Sequence, residues 1–271
     1  MSLSSRPPAS PARPRLTRIG PLWIRERVAH RWFLRDAARR PELFRDVPLY
    51  FAPDVRLDLE PTDVGHGLIA LTGFYELALT RRLTALARAG GLLVDVGANY
   101  GYFSCLWAAT RSDNRVLALE ASPRNVAPLR GNLARNGFAA RVEVLEQAAG
   151  HIDGPVTLAP GPDDQTGWGG IVTQPSESTV TVPGVRLDTL LGPERIVDFL
   201  KIDVEGADTW VLHGADRLLS EHRVRHLCFE HNRTRMAQLG IGERDAAEWL
   251  RDRGYRVEQM ARDEWYATPE S

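Results

Sequence analysis

The stretch LLVDVGANYGYF, residues 92–103, decides how this chain folds. Leu92, Leu93 and Val94 make a short apolar run of the kind that fills a buried parallel strand. The run ends in Asp95 and passes into Gly97-Ala98-Asn99-Tyr100-Gly101. Residues 102–107 then read as a helix. An acidic residue and two glycines at a strand-to-helix turn mark the place where open α/β sheets bind ligands. Glycine there permits backbone conformations that a Cβ blocks and lets a ligand come close to the main chain.

The spacing narrows the ligand. A dinucleotide site needs GxGxxG, with a pyrophosphate on the helix N-terminus. Here the pattern is DxGxxxG, formed by Asp95, Gly97 and Gly101. The third glycine is missing and a carboxylate stands at the turn. Asp95 would repel a pyrophosphate, whereas it is suited to accept hydrogen bonds from an ammonium. S-adenosylmethionine carries an ammonium and no phosphate. The stretch resembles the first motif of class I S-adenosylmethionine-dependent methyltransferases.

Outward from this point strands and helices alternate, which predicts a mostly parallel, doubly wound α/β sheet. The further strands are expected over residues 115–120, 142–147, 198–203 and 224–230. Ser122-Pro123 starts a helix that ends near Asn136-Gly137, with Ser as N-cap and Pro at the first position. Another helix is expected over residues 207–219. A helix over residues 243–253 stops at Gly254, and residues 255–260 and 264–267 form a closing antiparallel pair. Residues 152–185 read as short β-like pieces around a loop at 161–170.

Before the first core strand, residues 76–89 read as a helix. Residues 48–60 read as a hairpin turning at Pro53-Asp54. Residues 21–40 read as a helix with Trp23, Ile24, Val28 and Trp32 among its apolar positions. Its arginines Arg27, Arg31 and Arg35 suit either a solvated face or an anionic lipid surface. Residues 1–20 are rich in Pro, Ser and Arg and read as a disordered tail without a secretory signal. The domains expected are therefore a tail at 1–20, a helix and hairpin extension at 21–75, and a catalytic domain at 76–271.

Composition agrees with a globular protein, since 43% of the 271 residues are apolar and 25% charged. The net charge of -1 gives no reason to expect nucleic acid as a partner. No apolar run reaches the length of a membrane span, so no integral membrane contact is expected. Cys105 and Cys228 fall in buried elements and read as free thiols of a reducing, cytoplasmic compartment. Of the 34 basic residues only Lys201 is a lysine. Lysine's compact ammonium differs from arginine's planar fork, which draws attention to that site.

Glu120 ends the second strand, 25 positions after Asp95. A carboxylate there suits two ribose hydroxyls, in nicotinamide and S-adenosylmethionine sites alike. Gln147 and Ala148, after the third strand, are placed to meet the adenine edge. Lys201 and Asp203 alternate onto one face of the fourth strand, and Glu230, His231 and Asn232 end the fifth. These acids and the histidine are expected to converge over one crevice.

The segments VDVGANYGYF, LALEASPRN, VRLDTLL, FLKIDVEGAD, VLHGADRLL and FEHN resemble the FkbM family of methyltransferases. The resemblance covers residues 66–268 and leaves 1–47 aside. It implies a seven-stranded, Rossmann-like class I methyltransferase sheet with an antiparallel closing strand, and S-adenosyl-L-methionine as methyl donor. It implies O-methylation of a hydroxyl on a sugar, polyketide or other specialised metabolite. It assigns Asp95, Gly97, Asn99, Gly101 and Glu120 to the cofactor, with Tyr102, Phe103, Ala121, Asn125 and Asp203 beside them. Tyr75-Glu76 looks like the short motif that closes over the cofactor's amino acid end.

The family pattern supplies no general base, so Lys201, Asp203, His231 and Glu230 all stand as catalytic candidates. Magnesium held by Asp203, Glu230 and His231 is a further possibility, against which the histidine counts. Two other readings share the architecture: a nicotinamide-dependent oxidoreductase, and a non-catalytic S-adenosylmethionine-binding module.

Overall fold

The computed structural model describes residues 14–162 and 165–270. The expected tail lies largely at residues 1–13, outside the described residues. The chain divides into two compact units, Met1–Tyr75 and Glu76–Ser271.

The larger unit holds seven strands in one sheet. In chain order they are β1 (Leu92–Val96), β2 (Arg115–Leu119), β3 (Val142–Leu145), β4 (Phe199–Ile202), β5 (Leu227–Glu230), β6 (Tyr255–Gln259) and β7 (Glu264–Pro269). Their spatial order is β6-β7-β5-β4-β1-β2-β3. β1 to β5 pair in parallel, and β7 runs antiparallel to both β5 and β6. The chain winds outward one way from β1 and the other way from β4. The crevice at the carboxyl ends of these two neighbours is where such sheets take ligands.

Alternation along the strands explains both layers. Val94, Val96, Leu117, Leu119, Leu200, Ile202 and Phe229 are buried in one cluster, packed by the helices Asp208–Gly214 and Asp245–Arg251. The opposite face carries Asp95, Phe199 and Lys201 and meets the helix Tyr102–Thr110, with Trp107 against Phe199 at 6.1 Å.

Several element boundaries are corrected. β2 stops at Leu119, so Glu120 lies just beyond the strand. β3 stops at Leu145, which leaves Gln147 in a connection. The expected helix at 207–219 is two helices, Asp208–Gly214 and Asp216–Ser220. Residues 148–185 build a four-stranded sheet of their own, including the antiparallel pair Gly154–Ala159 and Val180–Val185. The helix Arg233–Gln238, unforeseen from the sequence, follows β5.

In the smaller unit the hairpin forms with only two residue pairs, Val47↔Leu57 and Pro48↔Arg56. A second unforeseen helix, Val64–Thr72, is capped by Asp63, whose carboxylate accepts from the His66 N–H at 2.9 Å, and it ends on left-handed Gly73. The first helical segment is α over Leu22–Val28, π over Ala29–Phe33 and α again over Leu34–Ala37. Its buried side is anchored by Arg25. The guanidinium donates to the carbonyls of Thr17 (2.9 Å) and Thr72 (2.8 Å) and stacks over Tyr50. Trp23 and Trp32 point to solvent.

Candidate active site

The turn after β1 is held from three sides. Gly97 and Gly101 take positive φ values of 75° and 86°, and Asn99 joins them at 50°. A Cβ on Gly97 would lie 1.9 Å from the Asp203 carbonyl oxygen, so the loops after β1 and β4 touch through main chain. The Asn99 N–H donates to Glu120 Oε2 at 2.7 Å. The Ser122 N–H and Asn125 Nδ2 donate to Glu120 Oε1, at 2.8 and 3.3 Å. Burial raises the Glu120 carboxyl, and these three donors, with the Lys201 charge, oppose the rise. Ser122 occupies the N-cap position of the helix Pro123–Arg135 but makes no capping bond through its hydroxyl. Ser122 Oγ and Asn125 Oδ1 are buried with no hydrogen-bond partner among the described residues, beside the Glu120 carboxylate that follows β2.

Asp95 is fully buried. Its Oδ2 accepts from Ser104 Oγ at 2.6 Å, and Oδ1 lies 3.7 Å from Lys201 Nζ. A carboxylate so enclosed shapes the turn instead of offering an acceptor at its surface. Tyr102 and Phe103 are also buried. The Tyr102 hydroxyl bonds Thr80 at 3.2 Å, and the Phe103 ring lies 5.4 Å from Lys201 Nζ. Ala121 and Gln147 are half-buried and Ala148 is buried. Tyr75 and Glu76 fall on either side of the division between the units. Glu76 is left-handed at φ 41°, and its charge reaches Lys201 and Glu230.

Lys201 is only 3% exposed. Its ammonium donates to the Gly97 carbonyl at 2.9 Å and sits 3.2 Å from Asp203 Oδ2. Burial works to strip its proton, but the charges of Asp203, Asp95 and Glu76 overcome that and hold it protonated. Asp203 is the exposed end of this network, its side chain 28% accessible. On its other side Glu230 shares a hydrogen bond with it. Burial first, then the charges of Asp203 and Glu76, push the Glu230 carboxyl far above the usual carboxylate range. Glu230 is therefore held as a neutral acid hydrogen-bonded to Asp203.

His231 does not join them. The strand alternates, so Glu230 faces the crevice while Phe229 and His231 face away. The His231 ring packs against Phe229 (5.3 Å) and Trp265 (5.1 Å), and burial lowers its pKa. Asp203, Glu230 and His231 thus form no common ligand set, and among the described residues no group of three or more His, Cys, Asp or Glu is placed to hold a metal ion.

Sequence reasoning missed the residues that tie the loop at 161–170 across this region. Arg124 donates to the carbonyls of Pro162 (3.1 Å) and Gln165 (2.7 Å). Asn125 donates to the Thr166 carbonyl at 3.0 Å, and the Thr166 hydroxyl donates to Asn99 Oδ1 at 3.2 Å. From the β5 side Arg235 donates to the Trp168 carbonyl. Asp208 was also missed as a member of the site, beside Glu205. Burial and then the Asp203 charge push both to about 7. Asn232 Nδ2 donates to Glu205 at 2.6 Å, and its Oδ1 caps Arg235 N. An Asn three residues before that N–H is an N-cap signal that the sequence does display.

A family model described as the methyltransferase FkbM domain matches residues 95–257, more than half of the chain. The chain belongs to this family. It is an S-adenosylmethionine-dependent methyltransferase. Among solved structures, the methyltransferase is similar to a putative caffeoyl-CoA O-methyltransferase from Staphylococcus aureus (12% identity, 73% of this chain and 85% of that one, TM-score 0.47). It is also similar to an O-methyltransferase from Bacillus cereus in complex with SAH (15%, 73% and 83%, 0.41). A third is the precorrin-6y C5,15-methyltransferase from Geobacter metallireducens (15%, 70% and 85%, 0.41). No curated protein matches the chain. Membership in the family sets aside the oxidoreductase and the non-catalytic module.

The residues present fit the cofactor of this methyltransferase. Positive-φ glycines shape a close main-chain turn, the buried Glu120 carboxylate follows β2, and the partnerless Ser122 Oγ and Asn125 Oδ1 flank it. A nucleoside with hydroxyls to donate satisfies such atoms, whereas a pyrophosphate does not.

Proposed function

We propose that this methyltransferase methylates a hydroxyl of a small molecule, such as a sugar, polyketide or other specialised metabolite, with Asp203 receiving the hydroxyl proton. The observation that carries this reading is the Asp203 carboxylate, partly exposed at the end of β4 and held by Lys201 at 3.2 Å. In this reading Glu120 takes the ribose hydroxyls and the 97–101 turn takes the amino acid end of the cofactor. S-adenosylmethionine, when bound, supplies an electrophilic methyl on a sulfonium that leaves as a neutral thioether. A hydroxyl is a weak nucleophile until its proton is drawn off, and a carboxylate in hydrogen-bond reach does this. Lys201 fixes the Asp203 rotamer, and Glu230 donates to it without adding charge.

The acceptor's character follows from the same charges. Asp203 presents a partly exposed carboxylate at the end of β4, which favours a neutral hydroxyl acceptor over a phosphate-rich one. The two buried free thiols support a reducing, cytoplasmic setting.

The test is production of S-adenosylhomocysteine with matched hydroxyl and amine acceptors, for the native chain and for Asp203→Asn. The reading expects hydroxyl acceptors to turn over, and the variant to lose about a hundredfold or more in kcat while still binding S-adenosylhomocysteine. Turnover of amines alone, or an Asp203→Asn variant as fast as the native chain, would overturn it.

A further inference from the structure

The first helical segment carries a surface that the methyltransferase chemistry does not use. Trp23 and Trp32 are 55% and 69% exposed, and Ile24 is exposed beside them. Arg27 stacks over Trp23 at 5.6 Å, and Arg31 over Trp32 at 5.4 Å. Leu16 and Ile19 add exposed aliphatic surface just before the helix.

The π turn over Ala29–Phe33 puts the two tryptophans on one side. At about 100° per residue, nine α-helical residues carry Trp32 roughly 180° away from Trp23, onto the buried side. The wider i→i+5 turn lags by nearly one residue over its length. Trp32 then returns to within about 110° of Trp23, with Arg27 and Arg31 between them. Arg25, Ala29 and Ala37 remain together on the buried side. π turns concentrate at functional sites.

Charge identifies the occupant. Residues 14–40 contain eight arginines and two acids, so their formal charge is 8 − 2 = +6 in a chain whose total is -1. We propose that the helical segment Leu22–Ala37 docks peripherally on an anionic lipid surface, with Trp23 and Trp32 inserted at headgroup depth and the arginines between them on lipid phosphates. Tryptophan favours that boundary because it joins an apolar ring to an N–H donor. Arginine adds attraction to anionic headgroups, so aromatic and cationic contributions reinforce each other. No helix among the described residues is long and apolar enough to cross a membrane, so the contact is interfacial. A second copy of the chain fits less well, because it sets +6 against +6. Nucleic acid would use the arginines and rings but leave Leu16, Ile19 and Ile24 in water.

The experiment is flotation of the full chain with phosphatidylcholine vesicles and with phosphatidylglycerol-rich vesicles, at physiological and at high salt. The expected result is binding to the anionic vesicles only, weakened by salt. Trp23→Ser combined with Trp32→Ser, and separately Arg27→Glu combined with Arg31→Glu, should each lower partition by about tenfold or more at unchanged melting temperature. Failure of the native chain to float with anionic vesicles overturns the proposal, as does undiminished binding by both folded variants. Binding of a single-stranded oligonucleotide without vesicle binding overturns it in favour of nucleic acid. A concentration-dependent dimer abolished by the tryptophan changes, again without vesicle binding, overturns it in favour of self-association.

Discussion

Lys201 Nζ stands 3.2 Å from Asp203 Oδ2 and 2.9 Å from the Gly97 carbonyl, so one buried ammonium ties the loop after β4 to the turn after β1. Asp95 depends on the same cation. Lys201→Met should cost about 3–5 kcal/mol, because it strands a buried carboxylate. Lys201→Arg keeps the charge but overfills the site, at about 1–3 kcal/mol. Thermal melts check both. A positioning role also requires that Lys201→Arg weaken S-adenosylhomocysteine binding through the displaced Gly97 carbonyl. Calorimetry that finds native affinity in a destabilised variant would limit Lys201 to stability.

Glu230, held neutral beside Asp203, and Asp203 itself should respond differently to amide substitution. Glu230→Gln keeps a donor toward Asp203 and removes no charge, so kcat should stay within roughly fivefold of native. Asp203→Asn removes the acceptor for the hydroxyl proton. Equal losses in the two variants would mean that the acids act only as a pair.

Glu120 accepts from three donors on the cofactor side of the sheet. Glu120→Gln presents an amide N–H₂ to one of those N–H groups. Loss of a charged hydrogen bond is worth about 1.5–3 kcal/mol, so S-adenosylhomocysteine affinity should fall by roughly ten- to a hundredfold. Isothermal titration measures it directly, and native affinity would mean that the ribose contact lies elsewhere.

Asp208 gives a pH prediction with a definite sign. Its folded pKa, about 7, exceeds the ordinary aspartate value, so the folded state holds this proton more tightly than the unfolded chain. The associated stability is fully present below about pH 4 and is lost as pH rises toward 7. Asp208→Asn stays uncharged and keeps an oxygen for the Glu230 N–H, now 3.0 Å from Oδ1. The variant's melting temperature should therefore gain on the native chain between pH 5 and about pH 8. A constant difference across that range would exclude the raised pKa.

Gly97→Ala asks for a Cβ 1.9 Å from a main-chain oxygen at φ 75°. No rotamer relieves a backbone clash, so the loops after β1 and β4 must part. Loss of cofactor binding, with a fall in melting temperature, is the expected result; an undisturbed variant would mean that the close approach is not maintained in solution.

The sheet was legible because apolar runs ending in charged residues announce buried parallel strands, and alternation alone placed Lys201 beside Asp203. The same alternation, carried one residue further, separates His231 from Glu230, although adjacency in sequence suggests that they converge. The helices Val64–Thr72 and Arg233–Gln238 escaped notice because each is too short to show a period. Their caps, Asp63 with Gly73 and Asn232, were the readable signal. The anchoring of the 161–170 loop was not readable at all. Arg124, Asn125 and Arg235 all reach main-chain carbonyls, and a carbonyl looks the same whatever residue bears it.

The register that sets Lys201 opposite Asp95 has a temporal side. Ribosomal synthesis delivers the acid first and its counter-charge 201 − 95 = 106 residues later. At about 5–20 residues per second, that gap lasts roughly 5–20 s. Throughout it the edge of β1 that pairs with β4 has no partner, and the carboxylate of Asp95, the fourth of its five residues, has no counter-charge from β4. In this register the Asp95 carboxylate gains its counter-charge only once Lys201 has been made.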